Sequence, residues 1–148
     1  MRIALGADHA GVTLKDDVKQ LLDQRGITYT DFGTHSTESV DYPDFASKVA
    51  HEVAAGRFDR GILVCGSGIG MAIAANKIAG IRAMAVETED AARLSRQHND
   101  LNVLALGARL TAADDARALV NVFLDTPFSG GRHQQRIDKI TRLDHDQG

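Results

Sequence analysis

The chain has no tryptophan, one cysteine, two prolines and only 5% aromatic residues in 148. A lone cysteine cannot form an internal disulfide, so burial must hold the fold, and a reducing cytoplasm suits the free thiol. No segment approaches the ~18 apolar residues that span a bilayer. Residues 2–7 enter a strand-like segment with no basic stretch leading into a long apolar run, so neither a membrane span nor a secretory signal is expected. A large charge of one sign is also missing: the formal net charge of −3 offers no general attraction to nucleic acid or to an anionic membrane. There is no internal repeat and no low-complexity segment. Six histidines (His9, His35, His51, His98, His133 and His145) make no close ligand pair with each other or with the cysteine, and no zinc or other metal site is expected. With 43% hydrophobic and 25% charged residues, the chain has the composition and length of one soluble globular domain, residues 1–148.

Strand-like apolar segments lie at 2–7, 28–33, 61–65, 82–86 and 103–106. Helix-length stretches at 12–24, 43–55, 71–78 and 90–98 separate them, and another at 112–124 follows the last. Leu14, Val18, Leu21 and Leu22 recur at helical spacing, and Gly26 supplies a C-cap. Pro43 suits a first helical turn, where its missing N–H costs nothing. This alternation predicts an α/β fold with a five-stranded parallel sheet, helices on both faces and right-handed crossovers. Ligands of such sheets gather at the C-terminal strand ends. From Asp125 onward a Thr-Pro-Phe-Ser-Gly-Gly stretch leads into a basic, helix-compatible run, which reads as a C-terminal arm over 125–148.

The cysteine stands where an apolar strand meets a glycine-rich turn. Ile62, Leu63 and Val64 suit a strand buried on both faces, and Cys65 ends it; Gly66, Gly68 and Gly70 then allow a sharp turn and close approach of backbone N–H groups to a ligand. The following helix would direct its positive end at the thiol and favour a thiolate. A buried structural cysteine is the plain alternative, but three flanking glycines are more bare backbone than packing alone calls for. Familiar glycine loops do not fit. The dinucleotide fingerprint needs its third glycine one residue later than Gly70, and Gly6 to Gly11 has P-loop spacing but is followed by Val12 and Thr13, not the phosphate-gripping lysine. A cysteine phosphatase would want an arginine where Met71 stands. An anion-handling site with a thiol at its centre remains, with no cofactor implied.

Five segments, G-A-D-H-A-G at 6–11, D-Y-P-D at 41–44, V-C-G-S-G-I-G at 64–70 with A-A-N-K at 74–77, S-R-Q-H-N-D at 95–100 and G-G-R-H-Q-Q-R at 130–136, resemble the ribose/galactose phosphate isomerase family, and within it the type-B ribose-5-phosphate isomerases. They cover nearly the whole chain in the family's order. The resemblance implies a Rossmann-like three-layer α/β/α domain and a metal-free aldose–ketose isomerisation of a sugar phosphate by a homodimer or tetramer. It makes Cys65 the base that moves a proton between C2 and C1 through an enediolate. Ser67, often threonine in the family, would assist transfer between the two oxygens, His98 would open the furanose ring, and Asn99 would help hold the intermediate. The N–H groups of Gly66 to Gly70 would stabilise the enediolate oxygen. Asp8, His9 and Tyr42 are implied to line the pocket.

His98 raises a question of reach. The 90–98 helix returns across the sheet, and at ~1.5 Å per residue it runs ~14 Å, which leaves His98 at the strands' N-terminal edge, away from its own thiol. It is either a charge partner for the helix C-terminus or a catalyst delivered to a second subunit's thiol. Asp8 could equally cap the next helix, and Tyr42 could be a packed core tyrosine. Arg132 and Arg136, four apart on one helix face, could clamp a phosphate or form a solvated basic face, with Arg109 and His133 as further candidates for the same phosphate. Rival readings are isomerases of allose 6-phosphate, galactose 6-phosphate or a tetrose 4-phosphate, and, outside enzymes, a sugar-phosphate or nucleotide binding module.

Overall fold

The structure, a computed structural model, describes residues 1–146. β1 (Arg2–Ala7), β2 (Thr28–Asp31), β3 (Arg60–Cys65), β4 (Ala83–Ala85) and β5 (Val103–Gly107) form one parallel sheet in the order β2-β1-β3-β5-β4. Around it lie α1 (Val12–Gln24), α2 (Tyr42–Ala54), α3 (Ile69–Ala75), α4 (Glu89–Asn99), α5 (Ala113–Asp125) and α6 (Arg132–Leu143), with a 3₁₀ turn over His9–Gly11.

The two-residue alternation of each strand sorts the core into two layers. Ile3, Leu5, Ile62, Val64, Leu104 and Leu106 face Leu14, Val18, Leu22, Leu119 and Phe123 of α1 and α5. Ala4, Leu63, Cys65, Val103 and Ala105 face Val49, Met71 and Ala75 of α2 and α3. Near-continuous apolar strands follow from this coverage of both faces, and the expected α/β/α sandwich is present.

Element boundaries differ from the sequence reading where a local or distant contact decides them. β2 spans Thr28–Asp31 rather than reaching 33: Gly33, at φ +95°, breaks the regular strand, although Phe32, Gly33 and Thr34 still bond to Leu5 and Ala7 of β1 at 2.7–2.9 Å. α3 spans Ile69–Ala75 rather than 71–78. It starts early because Gly68, at φ +78°, completes the turn, and it stops early because the Asn76 amide pairs with both backbone groups of Ala83, at 2.7 and 2.9 Å. Gly26 takes the positive φ, +67°, expected just past α1, and Pro43 lies in the first turn of α2. The arm carries a full helix, α6.

β1 connects forward to β2 on one side and is flanked by β3 on the other, so the chain's direction across the sheet reverses between β1 and β3. Gly11 holds that crevice tight: it packs on the Val64 carbonyl with no room for a Cβ. Asp8 and Cys65 emerge on either side at the C-terminal strand ends, where open α/β sheets bind ligands.

Candidate active site

Cys65 ends β3, and its side chain turns toward the α2/α3 layer, nearly buried. The Gly68 N–H donates to Sγ at 3.1 Å, so a backbone dipole supports negative charge on the sulfur. The glycines around it have separate reasons. Gly68 needs its left-handed backbone and lies against the Leu106 carbonyl carbon, which a Cβ would approach to 3.0 Å. The Tyr42 ring lies on Gly70, where a Cβ would come within 2.6 Å of Cζ, and the Arg109 guanidinium lies over Gly66. Packing thus uses these glycines more than the sequence reading assumed. It uses them to bring Tyr42 and Arg109 close to the loop.

A cleft of about 520 Å³ opens there, lined by Asp8, Tyr42, Cys65, Gly66, Ser67, Gly70 and Arg109. Asp8 does both things the sequence left open: its Oδ1 accepts from the Ala10 N–H at 2.9 Å as a cap, and the residue, largely buried, also lines the cleft. Half-buried His9 follows on the same turn, its Nδ1 accepting the Val40 N–H at 3.1 Å, so a neutral ring carries its hydrogen on Nε2. The Ser67 hydroxyl accepts from the Ile69 N–H at 3.2 Å. Ile69, Ile73 and Leu110, which the sequence reading did not single out, complete the lining while remaining more than half exposed. Their signal was an i, i+4 isoleucine pair that begins within the glycine loop, and a leucine beside Arg109.

The other predicted residues lie elsewhere. His98 and Asn99 end α4, and Arg82 donates to the carbonyls of Asn99 (2.8 Å) and Asp100 (2.9 Å), tying that end to the start of β4. Gly61 pairs with Val103 at one edge of the sheet and Cys65 with Gly107 at the other. The four steps between these pairs amount to ~13 Å. His98 therefore sits at the N-terminal edge, away from Cys65 of its own chain. It stacks on His133 of α6, centroids 4.2 Å apart and planes 13° from parallel. Partial burial in the stack, the His98 ring and the Arg132 and Arg136 cations hold His133 below its ordinary imidazole value. Arg132 and Arg136 are exposed on the same helix. Arg109 belongs with Cys65 and His133 with His98, so these two candidates for a common phosphate lie on separate clusters of one chain.

Among the described residues, no group of three or more His, Cys, Asp or Glu side chains converges as a metal site, and no helix is long and apolar enough to cross a membrane. The chain thus presents a thiol, a carboxylate and an arginine at one edge, and an imidazole pair with two arginines at the other.

Residues 3–140 match the ribose/galactose isomerase family. The chain is 49% identical over 143 residues to ribose-5-phosphate isomerase B of Escherichia coli (strain K12), covering 97% of this chain and 96% of that one. It is 40% identical over 146 residues to D-erythrulose-4-phosphate isomerase of Pectobacterium atrosepticum, covering 98% and 96%. Among solved structures, ribose-5-phosphate isomerase B of Clostridium thermocellum superposes with a TM-score of 0.98 at 48% identity, over 100% of both chains. The Mycoplasma genitalium enzyme, solved with bound ribulose 5-phosphate, superposes with a TM-score of 0.94 at 41% identity, over 98% and 97% of the two chains. With a family match over most of its length and full-length relatives above 40% identity, the chain belongs to the ribose/galactose isomerase family.

Proposed function

We propose that the chain interconverts ribose 5-phosphate and ribulose 5-phosphate at a site shared between two copies of itself. The observation that carries this reading is the division of the predicted residues between two edges of one sheet, with the thiol loop at one and His98, Asn99, Arg132 and Arg136 at the other. Neither cluster holds both a carbon base and a ring-opening group. An antiparallel pairing of two copies supplies both, twice. Exposed Tyr42, Ile69, Ile73 and Leu110 around the cleft offer the apolar rim such a contact would cover.

In this scheme His98 takes the O1 proton of the furanose and delivers a proton to the ring oxygen as the C1–ring-oxygen bond breaks, which frees the C1 aldehyde. Cys65 thiolate, held by the Gly68 N–H, removes the C2 proton to give the enediolate and returns it to C1. Ser67 passes the hydroxyl proton between O2 and O1, and the loop N–H groups stabilise the developing oxyanion. Arg132 and Arg136 fasten the phosphate, with Arg109 and His9 facing it from the thiol side. Asp8 and Tyr42 contact the sugar and Asn99 the intermediate.

The test is complementation. Inactive Cys65→Ala and His98→Ala chains, mixed and exchanged, should regain about a quarter of wild-type activity at 1:1, because half the dimers then carry one intact site. No recovery after verified exchange refutes the shared site. The Pectobacterium relative supports a second reading, in which the preferred substrate is a tetrose 4-phosphate; kcat/KM values across four-, five- and six-carbon aldose phosphates decide between them.

A further inference from the structure

The His98–His133 stack joins two separate elements and exists only if the start of α6 lies on the end of α4. Little in α6 itself enforces this. Of its twelve residues only Ile137 is buried, and the two residues before it, Gly130 and Gly131, have φ +64° and +57°, a joint that does not direct the helix. Its far end is held where Asp144 accepts the Gly80 N–H at 2.8 Å. The near end depends on the segment after α5, and a single side chain governs that segment.

Arg96, on α4, is 4% exposed. Its Nε donates to the Thr126 carbonyl at 3.1 Å, and its Nη1 donates to the Asp100 carboxylate at 2.7 Å and the Leu101 carbonyl at 2.6 Å. One guanidinium therefore grips the chain just past His98 and Asn99 and, 30 residues on, the end of α5 at the start of the segment that leads into α6. The Ser129 N–H adds a second link to the Gln97 carbonyl at 3.0 Å. Asp100 neutralises the buried cation, and a planar fork can reach three acceptors in fixed directions where an ammonium cannot.

We infer that Arg96 is a positioning residue: it sets His98 and Asn99 on α4 relative to Arg132, His133 and Arg136 on α6 without meeting the substrate. This rests on the shared-site reading, so the test uses subunit mixing. Arg96→Lys alone should lower kcat/KM on the order of ten- to a hundredfold, as expected for groups displaced by about an ångström, mainly through KM for ribose 5-phosphate. Mixed with a large excess of Cys65→Ala chains, so that few Arg96→Lys homodimers remain, the Arg96→Lys protein should show wild-type KM, because the working site takes its second half from the chain with Arg96 intact. Mixed with His98→Ala chains, it should keep the raised KM, because the working site then uses the altered half. Equal KM in the two mixtures overturns the inference.

If Cys65→Ala and His98→Ala chains fail to complement, the shared site falls and Arg96 is judged by imidazole NMR instead. Arg96→Lys should shift the His98 and His133 ring protons and leave those of His9 in place; unmoved His98 and His133 signals refute the positioning role however the sites are arranged. Should Arg96→Lys not fold, Asp100→Asn replaces it. Asparagine accepts the φ of +45° and keeps an acceptor while removing the charge, and it should give the same pattern at several-fold size. Wild-type KM and unmoved imidazole signals in that protein also overturn the inference.

Discussion

Replacing Cys65 by alanine separates chemistry from folding, because the two effects differ in size. The residue is 5% exposed, and its sulfur accepts a hydrogen bond from the Gly68 N–H. Removing a small buried group and leaving that N–H without its partner costs about 1–3 kcal/mol. Ordinary domains have about 5–15 kcal/mol in hand, so the variant stays folded, with a melting temperature lower by several degrees. A general base is worth roughly 10²–10⁴-fold, or about 2.7–5.5 kcal/mol of barrier. No other carbon base is available on the loop: Gly66 to Ala75 contains no carboxylate, and Met71, directly after Gly70, is fully buried in the α2/α3 layer. The expected result is at least a hundredfold lower kcat, with ribose 5-phosphate still binding by calorimetry within a few-fold of wild type. Iodoacetamide should inactivate the native protein, and substrate should protect it. Near-native turnover in Cys65→Ala would refute the thiolate base and move the role to Asp8, the buried carboxylate on the same cleft.

Arg136→Ala should raise KM on the order of ten- to a hundredfold with a smaller change in kcat, the loss of a charge-assisted phosphate contact being worth about 1.5–3 kcal/mol; unchanged kinetics would leave α6 as a solvated basic face. Asp31 sets an acid limb on stability. Burial pushes its carboxyl up, but hydrogen bonds from Lys15 (2.7 Å), the Gly33 N–H (2.9 Å) and Lys19 (3.1 Å) outweigh burial and hold it below the ordinary aspartate value. A depressed folded value means that this stability is present above the unfolded value of about 3.9 and is lost as pH falls through the folded one. Urea unfolding should show that limb in the wild type. Asp31→Asn should lack it and lose about 3–5 kcal/mol at pH 7, because Lys15, 1% exposed, is left buried without its counter-charge; an unaltered limb would refute the assignment.

Much of the fold was legible because parallel strands covered on both faces must be apolar over several residues, and five such runs separated by amphipathic stretches leave few arrangements. β1 and α1 fall where the pattern puts them, since their limits are local: an apolar run that ends at a turn, and a helix that ends before a glycine with positive φ. β2 and α3 were misjudged because their limits are not local. The turn at Gly33 and the pairing of Asn76 with Ala83 become visible only when the backbone is laid out.

The candidate site divides the same way. Residue types at Cys65 and Asp8 could be read because strand ends and glycine turns announce themselves, Ser67 followed only from the family resemblance, and the reach of α4 alone placed His98 at the far edge. Partnership across distant segments could not be read. Arg96 lies in a polar helix whose sequence suggests a solvated arginine, and only a carbonyl 30 residues away explains its burial. The stack of His98 on His133 likewise depends on a joint of two glycines whose direction no periodicity encodes. Reaction chemistry favours groups at strand and helix ends, where backbone dipoles and open space coincide, and such ends leave a mark in sequence. The precision of a site depends on ties between ends that the chain brings together late. Thus Cys65 could be named from its neighbours in sequence, whereas Arg96 is recognised only by the carbonyls it holds.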